Sequence, residues 1–84
     1  MEYTFKKKID IPIDIDFDKL LKLIRQRKPV IENRELYSEF MDNAGEYITK
    51  LIGYDPYELY CDVDEVVEVI IYDFGTYLDE QGIN

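Results

Sequence analysis

Apolar and polar residues alternate through the first seventeen positions of the chain, with a single interruption at Lys7. This alternation predicts β-structure over residues 1–15 with one buried face, because successive side chains of a strand point to opposite sides. Pro12 cannot donate a backbone hydrogen bond, so it suits an edge strand or a bulge. The segment is long for one strand, and it forms either a bent strand or a tight hairpin broken near Lys8–Asp10. The apolar positions are Tyr3, Phe5, Ile9, Ile11, Ile13, Ile15 and Phe17.

Beyond this segment the apolar spacing changes from two residues to about 3.6, which predicts helices. The first helix is predicted over 16–28, with Asp16 as its N-cap and Pro29 as its stop. The second is predicted over 33–52 and ends at Gly53, a residue that readily adopts the left-handed conformation found after helices. The apolar stripe of the second helix consists of Leu36, Phe40, Ala44, Ile48 and Leu51.

The C-terminal part is predicted to contain a short helical turn over 56–61 and a longer element over 64–81. The β-branched residues of 66–72 also allow a strand. Helical spacing fits the longer element better, because strict alternation fails where two apolar residues are adjacent. A helix here would begin near Asp64 and end near Gly82.

These patterns predict an α+β fold. Residues 1–84 are expected to form one small, mostly helical domain, in which an N-terminal β-strand or hairpin precedes about three helices. A chain of this length buries only a modest core. The predicted core consists of Phe5, Ile11, Leu20, Ile24, Phe40, Ile48, Leu51, Ile70 and Phe74.

Charge is distributed unevenly along the chain, whose net charge is −9. Residues 1–30 carry eight Lys and Arg against five Asp and Glu, whereas residues 31–84 carry two against fourteen. An acidic surface repels nucleic acid and anionic membranes and attracts basic proteins. We therefore expect no direct binding to nucleic acid or membrane. The basic residues of the first part are expected to pair within the chain or with another copy.

Acidic residues are concentrated on one face of each of the two long predicted helices. A solvated face explains polar residues there, but like charges three or four positions apart cost helix stability, which favours a binding role as the alternative. Tyr72 stands within the second acidic face, and tyrosine suits an interface because it offers contact area and a hydrogen-bond donor. The predicted partner-binding residues are Glu35, Glu39, Asp42 and Glu46 on the first face and Glu65, Glu68, Tyr72 and Asp79 on the second.

The sequence contains no recognisable catalytic, cofactor or metal motif. Cys61 is the only cysteine and there is no histidine, so nothing nearby would lower the pKa of the thiol and no intramolecular disulfide can form. Asp62, Asp64 and Glu65 could hold a divalent cation weakly, although a helix N-terminus explains these acids equally well. We expect a cytoplasmic protein that is not an enzyme and has no cofactor.

The composition favours a small acidic inhibitor or modulator that occupies the basic groove of a nucleic-acid-handling protein. Carboxylates on the first acidic face are spaced by about 4.5–6 Å along the helix, compared with about 3.4 Å between phosphates, so one helix is a dilute nucleic-acid mimic. In size and charge the chain is similar to small acidic phage inhibitors such as anti-CRISPR, anti-restriction and DNA-glycosylase-inhibitor proteins, with no shared motif. The alternative is a self-associating structural or regulatory subunit, a homodimer formed through the N-terminal strand.

Overall fold

The N-terminal segment forms an antiparallel pair of strands. The computed structural model describes residues 2–5, 11–59 and 62–83. Strand β1 spans Glu2–Phe5 and strand β2 spans Ile11–Asp14, and the two are hydrogen-bonded to each other. The choice between a bent strand and a hairpin is thereby decided in favour of the hairpin.

The register of the hairpin explains why its alternation was continuous in the sequence. Tyr3 lies opposite Ile13, and Thr4 lies opposite Pro12, so odd-numbered residues face each other across the sheet. Both strands then direct their odd-numbered side chains to one side. Tyr3 and Ile13 are buried while Thr4 and Pro12 are exposed. The break predicted near Lys8–Asp10 lies outside the described residues.

Helix α1 spans Phe17–Arg27, which is one residue shorter at each end than the predicted 16–28. The Asp16 carboxylate accepts hydrogen bonds from the backbone N–H groups of Asp18, at 2.9 Å, and Lys19, at 3.3 Å. It therefore satisfies two donors that have no partner inside the first turn. The helix ends at Lys28, directly before a proline that cannot continue it.

The predicted single helix over 33–52 is wrong in its continuity. The segment consists of a 3-10 turn at Asn33–Glu35, helix α2 at Leu36–Asp42 and helix α3 at Ala44–Ile52. Asn43 separates the two helices with φ −130° and ψ 29°. The apolar stripe survives the break, because its members on both helices are buried except for the half-buried final one.

The hydrogen bonds of Asn43 give the physical reason for the break. Its side-chain amide donates to the backbone carbonyl of Glu39 at 3.2 Å. That carbonyl would otherwise accept the Asn43 backbone N–H, which instead reaches the carbonyl of Phe40 at 3.2 Å. Short amide side chains compete with the helix in this way.

The remaining helices are α4 at Pro56–Leu59 and α5 at Val63–Glu80. The helical alternative for 66–72 is therefore confirmed. Asp64 is not the N-cap of α5; that position belongs to Asp62, whose backbone is left-handed and whose side chain makes no capping bond. The predicted turn over 56–61 ends early, and its last two residues, Cys61 included, lie outside the described residues.

The C-terminal end of α5 follows a Schellman motif. Gly82 has φ 69° and donates its backbone N–H to the Asp79 carbonyl at 3.1 Å. The Ile83 backbone N–H donates to the Leu78 carbonyl at 2.9 Å. This pair of bonds satisfies carbonyls that the helix leaves open, and glycine adopts the left-handed conformation at no steric cost.

Helix α5 is the centre of the core, where it packs against α2, α3 and β1. The Phe74 ring lies 5.1 Å from that of Phe40 and 5.7 Å from that of Phe17, measured between centroids. Of the nine predicted core residues, the side chains of Phe5 and Ile11 lie outside those described, and Leu51 is half-buried. The other six are fully buried: Leu20, Ile24, Phe40, Ile48, Ile70 and Phe74. The α+β, mostly helical fold is as predicted.

Candidate protein-binding surface

The eight predicted binding residues belong to two regions that differ in their surroundings. Glu35, Glu39, Asp42 and Glu46 are divided between the 3-10 turn, α2 and α3, so the break at Asn43 interrupts their spacing. Glu65, Glu68, Tyr72 and Asp79 all lie on the single helix α5. The first region packs beside α1, whose last turn and C-cap carry Arg25, Arg27 and Lys28.

Glu39 was predicted to lie on a solvent-facing surface, and this is wrong, because its side chain is buried and only 8% exposed. Its Oε2 accepts a hydrogen bond from the Tyr47 hydroxyl at 2.7 Å, and its Oε1 lies 3.1 Å from the Lys28 ammonium nitrogen. The hydrogen bond from Tyr47 and the nearby ammonium of Lys28 hold the pKa of the Glu39 carboxyl below its usual range. Glu39 is therefore a structural residue whose charge is already compensated.

The remaining acids of the first region do not form a continuous surface either. A carboxylate oxygen of Glu46 lies 2.6 Å from the Arg27 guanidinium, which also stands 5.3 Å from the centroid of the Tyr47 ring. Glu35 and Asp42 are exposed. Both lie before the break at Asn43, whereas Glu46 lies after it on α3. The first predicted acidic face is thus partly neutralised and partly divided.

The acidic residues of α5 remain exposed together. We call Glu65, Glu68, Tyr72 and Asp79, with Thr76 between the last two, the α5 strip. All five residues are exposed, and Tyr72 is 72% exposed, the largest value of any tyrosine among the described residues. Within the part of the chain that the structure describes, no carboxylate of the strip forms an ion pair. The strip therefore presents uncompensated negative charge around an accessible aromatic ring.

A groove of about 470 Å³ runs beside the α5 strip, between α5 and the start of α2. One side is formed by Tyr37, whose ring lies against the backbone of Gly75; a Cβ added at Gly75 would stand 3.0 Å from the ring atom Cε2. The lining residues are Arg34, Tyr37, Tyr72, Gly75, Thr76, Leu78 and Asp79. Tyr37 and Gly75 were missed from the sequence, although a glycine inside a helical pattern is a signal of close packing.

Among the tyrosines in residues 2–5, 11–59 and 62–83, most of those other than Tyr72 donate their hydroxyl groups to acidic side chains within the fold. Tyr3 donates to Asp73 at 2.9 Å, and Tyr77 donates to Asp18. Burial and these hydrogen bonds raise the tyrosine pKa values, to about 12 for Tyr77. Tyrosines and acidic residues therefore occur together in the sequence mainly because they form hydrogen bonds within the fold. Tyr72 is an exception.

A second cleft, of about 420 Å³, lies where the hairpin, α1 and α5 meet. Three of its five carboxylates serve the scaffold, since Asp16 caps α1 while Asp18 and Asp73 accept tyrosine hydroxyls. Among residues 2–5, 11–59 and 62–83, no group of three or more acidic, histidine or cysteine side chains is arranged to hold a metal ion. In the same residues no helix is long and apolar enough to cross a membrane.

The chain matches no protein-family model, no curated protein and no solved structure.

Proposed function

We propose that this protein binds a basic surface of another protein through the α5 strip, and thereby inhibits or modulates a nucleic-acid-handling protein. The observation that carries the proposal is the exposure of three uncompensated carboxylates and Tyr72 on one helix face. The α5 helix is held in place by its opposite, fully buried face, so the strip is presented on a rigid element. Binding therefore costs little conformational entropy on this side of the interface, because the helix that carries the strip is already ordered.

The charge around the strip favours a basic partner. From Leu51 to the C-terminus there are nine acidic residues and no Lys or Arg, so the potential there is negative beyond the strip itself. Such a field steers a basic protein and raises its association rate. It repels nucleic acid, which leaves the nucleic-acid-binding surface of a protein as the natural complement.

The strip imitates the negative charge of nucleic acid, but its carboxylates are spaced more widely than phosphates. Glu65 and Glu68 are about 4.5 Å apart along the helix axis, and Asp79 follows after about 16 Å, whereas phosphates repeat about every 3.4 Å. Tyr72 stands between the acidic ends, where its ring can take the place of a base stacked on the partner. We place this interaction in the cytoplasm, since the only cysteine favours a reducing compartment.

Site-specific photo-crosslinking tests this proposal. A benzophenone amino acid replaces Tyr72 in one variant and the exposed α1 residue Gln26 in a matched control, and captured proteins are identified by mass spectrometry. We expect capture of a nucleic-acid-binding protein from position 72 only, reduced by added duplex DNA or RNA and by high salt, which shortens the Debye length. Equal capture from both positions, or capture that nucleic acid does not reduce, would contradict the proposal.

A further inference from the structure

The groove between α2 and α5 has the chemistry to recognise a particular side chain of a basic partner. We infer that it receives an arginine, whose guanidinium stacks on the Tyr72 ring and donates hydrogen bonds to the Asp79 carboxylate. This inference rests on the proposed function and specifies how the same surface selects its partner. The groove has a volume of about 470 Å³, which lies within the range of about 300–1,000 Å³ typical of small-ligand sites.

The walls of the groove are aromatic on both sides. Tyr37 forms the α2 side and Tyr72 the α5 side. The Tyr37 ring lies this close to α5 because residue 75 is glycine; a Cβ there would stand 3.0 Å from the ring atom Cε2 and would push the ring outward. Glycine in the interior of a helix costs about 1 kcal/mol relative to alanine. The fold thus carries an unfavourable helix residue at the position that sets the shape of the groove.

The polar groups of the groove select a cation. Asp79 carries an uncompensated carboxylate at its rim, and the Thr76 hydroxyl already donates to the Tyr72 carbonyl, so its oxygen remains an acceptor. Glu68, one helical turn before Tyr72, adds negative charge to the same face. An anion would meet only one compensating charge, that of Arg34.

Arg34 forms an ion pair with Glu32 on the surface. Its Nε lies 2.6 Å from a carboxylate oxygen of Glu32, which leaves the aromatic and acidic surfaces of the groove open to an external cation. The Arg34 charge still opposes a second guanidinium at short range. Removing it in Arg34→Gln is therefore expected to strengthen the binding of an arginine ligand.

Arginine fits this arrangement better than lysine. Its planar guanidinium stacks on an aromatic face while its N–H groups donate in the same plane to a carboxylate. A lysine ammonium is a compact, strongly hydrated charge that offers no such plane. Tyr72 and Asp79 lie two turns, or about 10.5 Å, apart along α5 and line the same groove. An extended arginine side chain between them can place its guanidinium against the ring with its N–H groups toward the carboxylate, whereas a lysine ammonium gains nothing from the ring plane.

The experiment compares two blocked hexapeptides of equal charge, one alternating glycine with arginine and the other alternating glycine with lysine. Each is titrated into the full-length isotope-labelled protein, and amide chemical shifts report both the dissociation constant and the residues affected. We expect the arginine peptide to bind about two- to five-fold more tightly than the lysine peptide, with the largest shifts around Tyr37, Tyr72 and Asp79.

Three variants locate the effect. Tyr72→Leu and Asp79→Asn should each weaken the arginine peptide about two- to five-fold and remove its advantage over lysine. Glu58→Gln, which removes one exposed carboxylate from α4, is the matched control and should leave that advantage unchanged. All three positions are exposed, and circular dichroism confirms that each variant remains folded.

The outcomes separate the inference from the proposed function. If both peptides bind equally through the α5 strip, and Asp79→Asn acts no more strongly than Glu58→Gln, the arginine site is wrong while the acidic binding surface stands. If neither peptide shifts the residues of α5, or the shifts fall on the cleft of α1 and the hairpin, the inference and the proposed function are both overturned.

Discussion

The acidic residues of α2 and α3 resemble those of the α5 strip in sequence, yet the fold treats them differently. Glu39 and Glu46 are placed against the basic end of α1 and are paired with Lys28 and Arg27. The strip residues of α5 face away from the core on a helix with no basic residue. An acidic helix face therefore becomes a free surface only where no cationic element packs beside it. The distinction depends on tertiary placement rather than on local spacing.

The buried and exposed faces of α5 should differ most in their contribution to stability. Phe74→Ala removes a fully buried ring that lies between Phe17 and Phe40, and we expect it to lower the free energy of unfolding by about 3–5 kcal/mol. Tyr72→Ala, two residues away and exposed, should change it by about 0.5 kcal/mol or less. Urea unfolding followed by circular dichroism measures both, and a stable Phe74→Ala variant would refute this core.

Removing one carboxylate from each acidic region gives the next largest contrast. Glu39→Ala leaves the buried Tyr47 hydroxyl without its acceptor, so we expect a loss of about 2 kcal/mol. Glu68→Ala removes an exposed side chain with no ion pair among the described residues, and should cost about 0.5 kcal/mol or less. The same unfolding measurement applies, and equal losses would show that Glu39 is no more structural than the strip.

The pair of Glu39 and Tyr47 also predicts how stability depends on pH. The pKa of Glu39 is lowered on folding, so its contribution is present above its ordinary value of 4.5 and is lost as pH falls through the lower folded pKa. The pKa of Tyr47 is raised to about 12, mainly by burial, so its contribution is complete below about 10 and is lost as pH rises toward 12. The urea midpoint should therefore fall at both extremes.

Two variants separate this pair from the other titrating groups. Glu39→Gln should flatten the acidic limb of the profile, and Tyr47→Phe the alkaline limb. Tyr77, whose pKa is also about 12, keeps part of the alkaline loss in Tyr47→Phe. Glu68→Gln is the control on α5, and a flattening of the acidic limb as large as that in Glu39→Gln would show that Glu39 is not responsible.

The smallest expected effect has the opposite sign. Glu68→Lys places a cation four residues after Asp64 on α5, and such a pair stabilises a helix by about 0.2–0.5 kcal/mol. We therefore expect this variant to be slightly more stable than the parent in thermal unfolding, as is common where a residue is retained for binding. A measurable loss of stability would indicate that Glu68 supports the fold rather than a surface.

Local patterns in the sequence are sufficient for much of this fold. The alternation around Tyr3 and Ile13 predicts the buried face of the hairpin, and Asp16 and Gly53 mark helix ends that the structure retains. These features depend on backbone geometry within a few residues. The break at Asn43 was missed because asparagine is tolerated inside helices, and only its side-chain bond to a backbone carbonyl reveals the competition.

The candidate surface could be predicted only in part. Helical spacing correctly places Glu65, Glu68, Tyr72 and Asp79 on an exposed face, because the opposite face is apolar. The burial of Glu39 depends on Tyr47, which approaches only because the helix breaks between them. The groove likewise depends on a contact of Tyr37 with Gly75, thirty-eight residues apart, which no local pattern encodes.

The central claim is that the α5 strip, and not acidity in general, binds the partner. The most direct test measures, by surface plasmon resonance at low salt, the association rate with the protein captured at residue 72. Two triple variants change the net charge equally: Glu65→Lys, Glu68→Lys and Asp79→Lys on the strip, and Glu35→Lys, Asp42→Lys and Glu58→Lys elsewhere. We predict that the strip variant slows association about ten-fold or more while the other variant slows it about two-fold. Equal slowing by the two variants would contradict the claim, because net charge alone would then account for binding.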